Sequence, residues 1–161
     1  MKEYICCFTG HRDLTKRHAS RLPIELNKIL EELYEKGARI FRSGGALGFD
    51  TAAALAVIEL RKKHPDVKLH MVLPCRDQDK LWSLRSKMLY RRILRKSDEI
   101  TYVADKYTRD CMLDRNRRMV DGSHVCVAYY NGGSGGTGYT YSYAKRKGIK
   151  IFNLYDSLEK E

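Results

Sequence analysis

A glycine-rich turn between a strand and a helix constrains this chain more than any other feature. Residues 129–140 read Tyr129-Tyr130-Asn131-Gly132-Gly133-Ser134-Gly135-Gly136-Thr137-Gly138-Tyr139-Thr140. The run His124-Val125-Cys126-Val127-Ala128-Tyr129-Tyr130 precedes it. It is short, apolar and rich in β-branched and aromatic residues, which predicts a buried strand. Tyr141 to Lys147 follows as a short helix stopped by Gly148, and Ile149 to Leu154 as another strand. Strand, turn, helix and strand make a βαβ unit of a parallel sheet. Glycines let the backbone approach a ligand, and the first helical N–H groups have no partner inside the helix. An anion is favoured there, so Gly132, Gly133, Ser134, Gly135, Gly136 and Thr137 are candidate phosphate ligands. A loop that only turns the chain is the plainer alternative.

The same logic occurs earlier in the chain. Tyr4-Ile5-Cys6-Cys7-Phe8-Thr9 is a continuous apolar run, hence a central strand. It ends in Gly10-His11-Arg12, where Gly10 permits close approach and Arg12 offers a planar fork for phosphate. His11 reads as a hydrogen-bonded turn residue rather than a catalyst. Leu22, Leu26, Ile29, Leu30 and Leu33 repeat at helical spacing, with Pro23 expected in the first turn and Gly37 at the end. Ala38 to Ser43 is the second strand. Ser43-Gly44-Gly45-Ala46-Leu47-Gly48-Phe49-Asp50 then leads into a helix from Thr51 to Lys63. Asp50 reads equally as a cap or first-turn acid and as a ligand for a ribose hydroxyl. The string is neither a Walker A loop nor a regular dinucleotide fingerprint.

Val67 to Leu73 is a third strand, closed by Pro74. Leu81, Trp82, Leu84, Met88, Leu89 and Ile93 mark a long helix made basic by Arg85, Lys87, Arg91, Arg92, Arg95 and Lys96. A solvated face is the usual meaning of such a charge run, and a nucleic-acid face the sharper one. Trp82 faces either the core or a ligand base. Glu99 to Val103 is a fourth strand and Cys111 to Val120 a helix with Met112, Arg115, Asn116 and Met119 on or near one face. Strands and helices alternate throughout, which predicts one α/β domain over 1–161. Its sheet is doubly wound and mainly parallel, with helices on both faces. In such sheets ligands bind beyond the carboxyl ends of the strands, where the glycine turns and Arg12 converge.

Lys and Arg number 31 against 20 Asp and Glu, a formal net charge of +11. That surplus suggests anionic partners such as nucleotides or nucleic acid. No stretch approaches a membrane span, and Met1-Lys2-Glu3 does not open a signal peptide. Five cysteines, an odd number without a C-x-x-C pair, suit free thiols in a reducing cytoplasm better than disulfides or zinc. No metal or cofactor is expected, and homo-oligomerisation is left open.

Thr9-Gly10-His11-Arg12, the Ser43–Asp50 string, the Pro74 and Trp82 segment, Arg115-Asn116 and the glycine loop together resemble the YpsA/YoqJ-type family of bacterial and phage proteins. That family belongs to the SLOG superfamily, with the LOG-type phosphoribohydrolases and the DNA-processing protein DprA. The resemblance covers nearly the whole chain. It implies a Rossmann-like fold and a pocket for a nucleotide or nucleotide-derived ligand, with Gly10, Arg12, Ser43, Gly44, Gly45, Asp50, Arg115, Asn116 and the Gly132–Thr137 loop around it. LOG-type enzymes carry an Arg in M-x-x-R-K-x-x-M and a catalytic Glu in P-G-G-x-G-T-x-x-E. Arg115 matches the Arg and Gly136-Thr137 the G-T, but the Glu position falls on Thr140. Asn131 also stands in place of the usual Pro, and the loop has an extra glycine. A hydroxyl cannot replace a carboxylate base. The phosphate half of the site is therefore expected to be kept and the hydrolytic half lost. Arg115 and Asp50 are the catalytic candidates, and Asp50 or Asp114 could supply a carboxylate. Three readings follow: a nucleotide sensor or binding protein, an N-glycoside hydrolase acting on a nucleoside monophosphate or ADP-ribose-like compound, and a DprA-like binder of single-stranded DNA using the basic helices.

Overall fold

A computed structural model describes residues 4–160; the Met1-Lys2-Glu3 segment lies outside them. The elements alternate as β1 (Tyr4–Gly10), α1 (Lys16–Glu35), β2 (Ala38–Ser43), α2 (Phe49–Lys63), β3 (Lys68–Leu73), α3 (Leu84–Lys96), β4 (Glu99–Tyr102), α4 (Cys111–Val120), β5 (Val125–Tyr129), α5 (Gly136–Arg146), β6 (Lys150–Asn153) and α6 (Leu154–Glu159). The sheet has the order β4-β3-β2-β1-β5-β6, and every pairing is parallel. The expected mainly parallel sheet is thus wholly parallel among the described residues.

Strand alternation divides the core. Cys6 and Phe8 of β1 face a large cluster with Leu22, Leu26, Leu30, Phe41, Phe49 and Val57. Cys7 faces a smaller one with Val72, Met119, Cys126 and Ala144. Helices α1, α2, α3 and α6 cover the first face, and α4 and α5 the second. The chain steps outward from β1 to β4, then crosses back to lay β5 on the other side of β1. Right-handed crossovers put the returning helix on the opposite face. The order therefore reverses between β1 and β5, and their carboxyl ends form the switch point of the sheet.

Several helix limits differ from the sequence-based expectation. Helix α1 begins well before Pro23, because the Thr15 hydroxyl caps it by accepting the His18 N–H at 3.1 Å. Pro23 then lies in the helix interior on the solvent side, where the carbonyl four residues earlier is free to bind water. Helix α3 begins at Leu84 with Ser83 as its cap, so Leu81 and Trp82 lie in the preceding turn. Leu81, Leu84 and Met88 are 93%, 74% and 64% exposed while Ile93 is buried, so the apolar residues of this stretch do not share one face. Helix α5 starts at Gly136 rather than Tyr141, because the Tyr139 N–H already bonds back to the Gly135 carbonyl at 3.0 Å. A last helix, α6, was not expected; the Asn153 side chain caps it by accepting the Tyr155 N–H. Among the described residues no helix is long and apolar enough to cross a membrane.

Candidate functional site at the switch point

The ends of β1 and β5 are tied together by His11. Its N–H donates to the Tyr129 carbonyl at 3.2 Å, its carbonyl accepts the Phe49 N–H at 3.1 Å, and its Nε2 accepts the Asn131 N–H at 3.0 Å. Nε2 must be unprotonated to do this, so the ring proton sits on Nδ1. His11 is the hydrogen-bonded turn residue that the sequence suggested. Phe49, fully buried, stacks on Tyr129 at 5.9 Å and anchors the start of α2 beneath this junction.

The turn after β2 is held from inside. Ser43, fully buried, donates from Oγ to the Asp50 carbonyl at 3.1 Å and accepts the Gly45 N–H at 3.3 Å. Thr51 Oγ1 donates to the Ala46 carbonyl at 2.9 Å. The Ala46 N–H in turn donates to Asp50 Oδ2 at 3.3 Å. Asp50 is therefore a first-turn acid; the cap position is Gly48, with φ of 80°.

Helix α4 delivers Arg115 to the same place. Arg115 is 5% exposed, and its guanidinium donates from Nη1 to the Gly44 carbonyl at 2.5 Å. Its Nε donates to Asn116 Oδ1 at 2.7 Å. Gly44 has to lack a side chain here: a Cβ would stand 2.5 Å from Arg115 Nη1 and 3.0 Å from Asp50 Oδ2. Burial pushes the Asp50 carboxyl from its ordinary 3.8 up to about 6, while Arg115, the Ala46 N–H and Arg12 pull it down. Burial lowers the Arg115 pKa; the Asp50 charge raises it and Arg12 lowers it further. Two guanidinium groups and one carboxylate thus act on each other across the turn, with Arg12 itself exposed.

This gives a pH dependence of known sign. Between about pH 4 and 6 the folded Asp50 keeps a proton that the unfolded chain has released, so its contribution to stability falls as pH rises. An asparagine at this position has nothing to titrate. The stability of Asp50→Asn relative to the parent should therefore improve by about 2 kcal/mol from pH 4 to pH 7. Urea melts of both proteins across that range measure it, and a gap that stays constant with pH would show that Asp50 ionises normally.

The third part is the turn after β5. Asn131 Oδ1 accepts the Gly133 N–H at 2.9 Å, and the Tyr130 hydroxyl donates to the Gly133 carbonyl at 2.6 Å. Helix α5 follows with Gly135 at its cap and no side-chain cap bond. The N–H groups of Gly136, Thr137 and Gly138 precede the first bond of the helix ladder and sit at its positive end. Thr140 is 1% exposed, and its hydroxyl donates to the Gly136 carbonyl at 2.9 Å.

These parts enclose a cleft of about 350 Å³. Gly10, Arg12, Asp50, Arg115, Asn116, Gly136 and Thr137, all named from the sequence, line it. Ser43, Gly44 and Gly45 do not; they form the support behind Asp50 and Arg115. Gly132, Gly133, Ser134 and Gly135 make the exposed turn that leads to the rim. Phe8, Thr9 and Ala46 also line the cleft and were missed. Thr9 carried a signal, as the polar residue that ends an apolar strand. Asp114 is exposed, pairs with Arg117 at 3.3 Å and does not line the cleft, which leaves Asp50 as the carboxylate of the lining. Among the described residues no group of three or more His, Cys, Asp or Glu is placed to hold a metal ion.

Comparison with known proteins gives concordant results. A family model described as the YspA SLOG family matches residues 7–155. The prophage-derived protein YoqJ of Bacillus subtilis is 40% identical over 150 residues, 84% of this chain and 88% of that protein. Among solved structures, DNA processing protein A of Streptococcus pneumoniae aligns with a TM-score of 0.69 at 19% identity. The match takes in 94% of this chain and 50% of that one, so the chain spans half of that protein's length. The Helicobacter pylori protein of the same name, described for its single-stranded DNA binding mode, aligns at 0.67 and 20% identity over 94% and 65%. At such identities the likeness establishes the fold alone.

Proposed function

This chain belongs to the YspA SLOG family, and we propose that it binds a nucleotide or nucleotide-derived ligand by its phosphate in the cleft between β1, β5 and α4. One observation carries the reading. Arg12, Arg115 and the free N-terminal amides of α5 converge on a single concave site at the switch point of a parallel sheet. Cations and aligned N–H groups stabilise a phosphate, and its position leaves Asp50 to accept from a ribose hydroxyl. The cleft volume is at the lower end of the ~300–1,000 Å³ usual for small-ligand sites, the scale of a nucleoside monophosphate.

Binding without turnover is the form of activity we assign. Asp50 is the carboxylate of the cleft lining, with Oδ2 held by the Ala46 N–H and its charge beside Arg115. Thr140 is buried with its hydroxyl bonded inside the helix, so position 140 offers no group to the sugar. A single-stranded DNA reading would draw on basic α3, none of whose side chains lines the cleft. A cytoplasmic setting is part of the proposal; the five cysteines are buried and unbridged, as reducing conditions require.

Gly136→Val tests the reading. A Cβ at Gly136 meets nothing within 4 Å, so the fold should tolerate the branch, yet it enters the cleft where an anion would sit. The thermal melt should stay near the parent's, and calorimetric affinity for adenosine monophosphate should fall at least about tenfold, ~1.4 kcal/mol. Equal affinity in both proteins would place the ligand elsewhere. Release of free adenine by the parent would replace binding by hydrolysis, and salt-sensitive capture of a thymidine oligonucleotide without nucleotide binding would replace it by DNA binding.

A further inference from the structure

A second concave surface lies between α2 and the start of α3, and the cleft makes no use of it. Leu47, Leu55, Trp82, Leu89 and Tyr90 line a hollow of about 220 Å³ there. Trp82 meets Tyr90 edge-on at 5.0 Å between ring centroids, which fixes one wall. Apolar surface continues outside it: Leu55 is 40% exposed and Leu81, next to Trp82, is 93% exposed. An apolar hollow with exposed apolar residues in its wall and beside it in the chain marks an interaction site. The rim has the opposite chemistry. Arg85, Arg92 and Lys96 stand four residues before, three after and seven after Leu89, so they share its row on α3. All three are exposed. Neither Arg85 nor Arg92 has an acidic partner among the described residues. The acid at this end of α3, Asp79, is matched with Arg91 at 3.9 Å.

We propose that this hollow docks a partner protein through an acidic segment carrying one large apolar anchor side chain. The concave apolar floor fits an inserted side chain, the usual form of an interface hot spot. The unpaired Arg85 and Arg92 fit acidic residues flanking that anchor, and such complementarity selects the partner and speeds encounter. The other occupants match less of the surface. A second copy of this chain would bring the same positive row against itself. A nucleic acid would satisfy the row and leave the apolar floor unfilled. A flat anionic bilayer would not enter a hollow.

Trp82 is the single tryptophan of the chain, so its fluorescence reports directly on the hollow. The experiment selects from a random peptide display against the full chain, then titrates the recovered peptides that lack tryptophan. Expected are sequences with Leu or Phe beside two or more acidic residues. They should shift Trp82 emission and lose at least tenfold in affinity in Leu55→Glu and in the double variant Arg85→Glu with Arg92→Glu. Both variants should bind adenosine monophosphate as the parent does, which certifies their fold, since none of the three residues lines the cleft. Peptides with no acidic and apolar pattern, or peptides that bind both variants unchanged, would overturn the proposal. So would a thymidine oligonucleotide or phosphatidylserine vesicles that shift Trp82 emission in the parent and not in the variants, while peptides fail to do so.

Discussion

Replacing Arg115 by methionine is expected to raise the Kd for adenosine monophosphate roughly 30- to 700-fold, or about 2–4 kcal/mol. Methionine keeps much of the length and volume of the buried stem, so the change isolates the guanidinium. Arg115 is 5% exposed, and that group is already oriented by the Gly44 carbonyl and Asn116. A charge fixed before the ligand arrives loses little entropy on binding, and burial strengthens its hydrogen bond to a phosphate oxygen. The same change leaves Asp50 without its strongest cationic neighbour, which pushes the Asp50 carboxyl further toward its neutral form. The fold should therefore survive with a lower melting temperature. Arg118→Met is the control, because Arg118 is exposed on the same helix and outside the cleft. Calorimetry on the three proteins decides the matter: if Arg115→Met binds as the parent does, Arg115 is a brace for the β2 turn and not a ligand residue.

Gly48→Ala should lower stability by about 3–5 kcal/mol, the largest structural effect of a single methyl group in the site. Two causes add. Gly48 has φ of 80° and ψ of −121°, a sparsely populated region where an L-residue with a Cβ costs about 1–3 kcal/mol. Its Cβ would also stand 2.1 Å from the Arg12 carbonyl oxygen, a backbone atom that cannot rotate away. To relieve that contact, the segment carrying His11 and Arg12 must lift from the start of α2 and break the bond between Phe49 N–H and the His11 carbonyl. Gly37→Ala separates the two causes, since Gly37 has φ of 108° and open space around it. Denaturant melts should show Gly37→Ala losing only the conformational part. Equal losses at both positions would mean that the turn relaxes and that Arg12 is not held by α2.

The sheet was readable in the sequence because β1 and β5 are buried on both faces. Their continuous apolar runs leave little choice of structure, and glycine follows each of them within a few residues. The converging turns followed from that pattern and the winding rule. Helix limits were harder where capping competes with composition. Thr15 starts α1 early and overrides the prior that Pro23 marks a first turn. Glycines at 136 and 138 read as loop, yet they form the first turn of α5. The division of labour in the site was not readable at all. Whether Ser43 points at a ligand or at the Asp50 carbonyl depends on the path of the turn. That Asp50 is buried opposite Arg115 depends on two helices on opposite faces of the sheet, 65 positions apart.

Backbone amide NMR of the parent titrated with adenosine monophosphate tests the central claim most directly. The account predicts saturable shifts concentrated at residues 10–12, 44–50, 115–116 and 136–138, with α3 unaffected. Those residues line or support one cleft, and the first-turn amides of α5 should move most because the phosphate accepts from them. Absence of any saturable shift, or shifts confined to the basic face of α3, would contradict it.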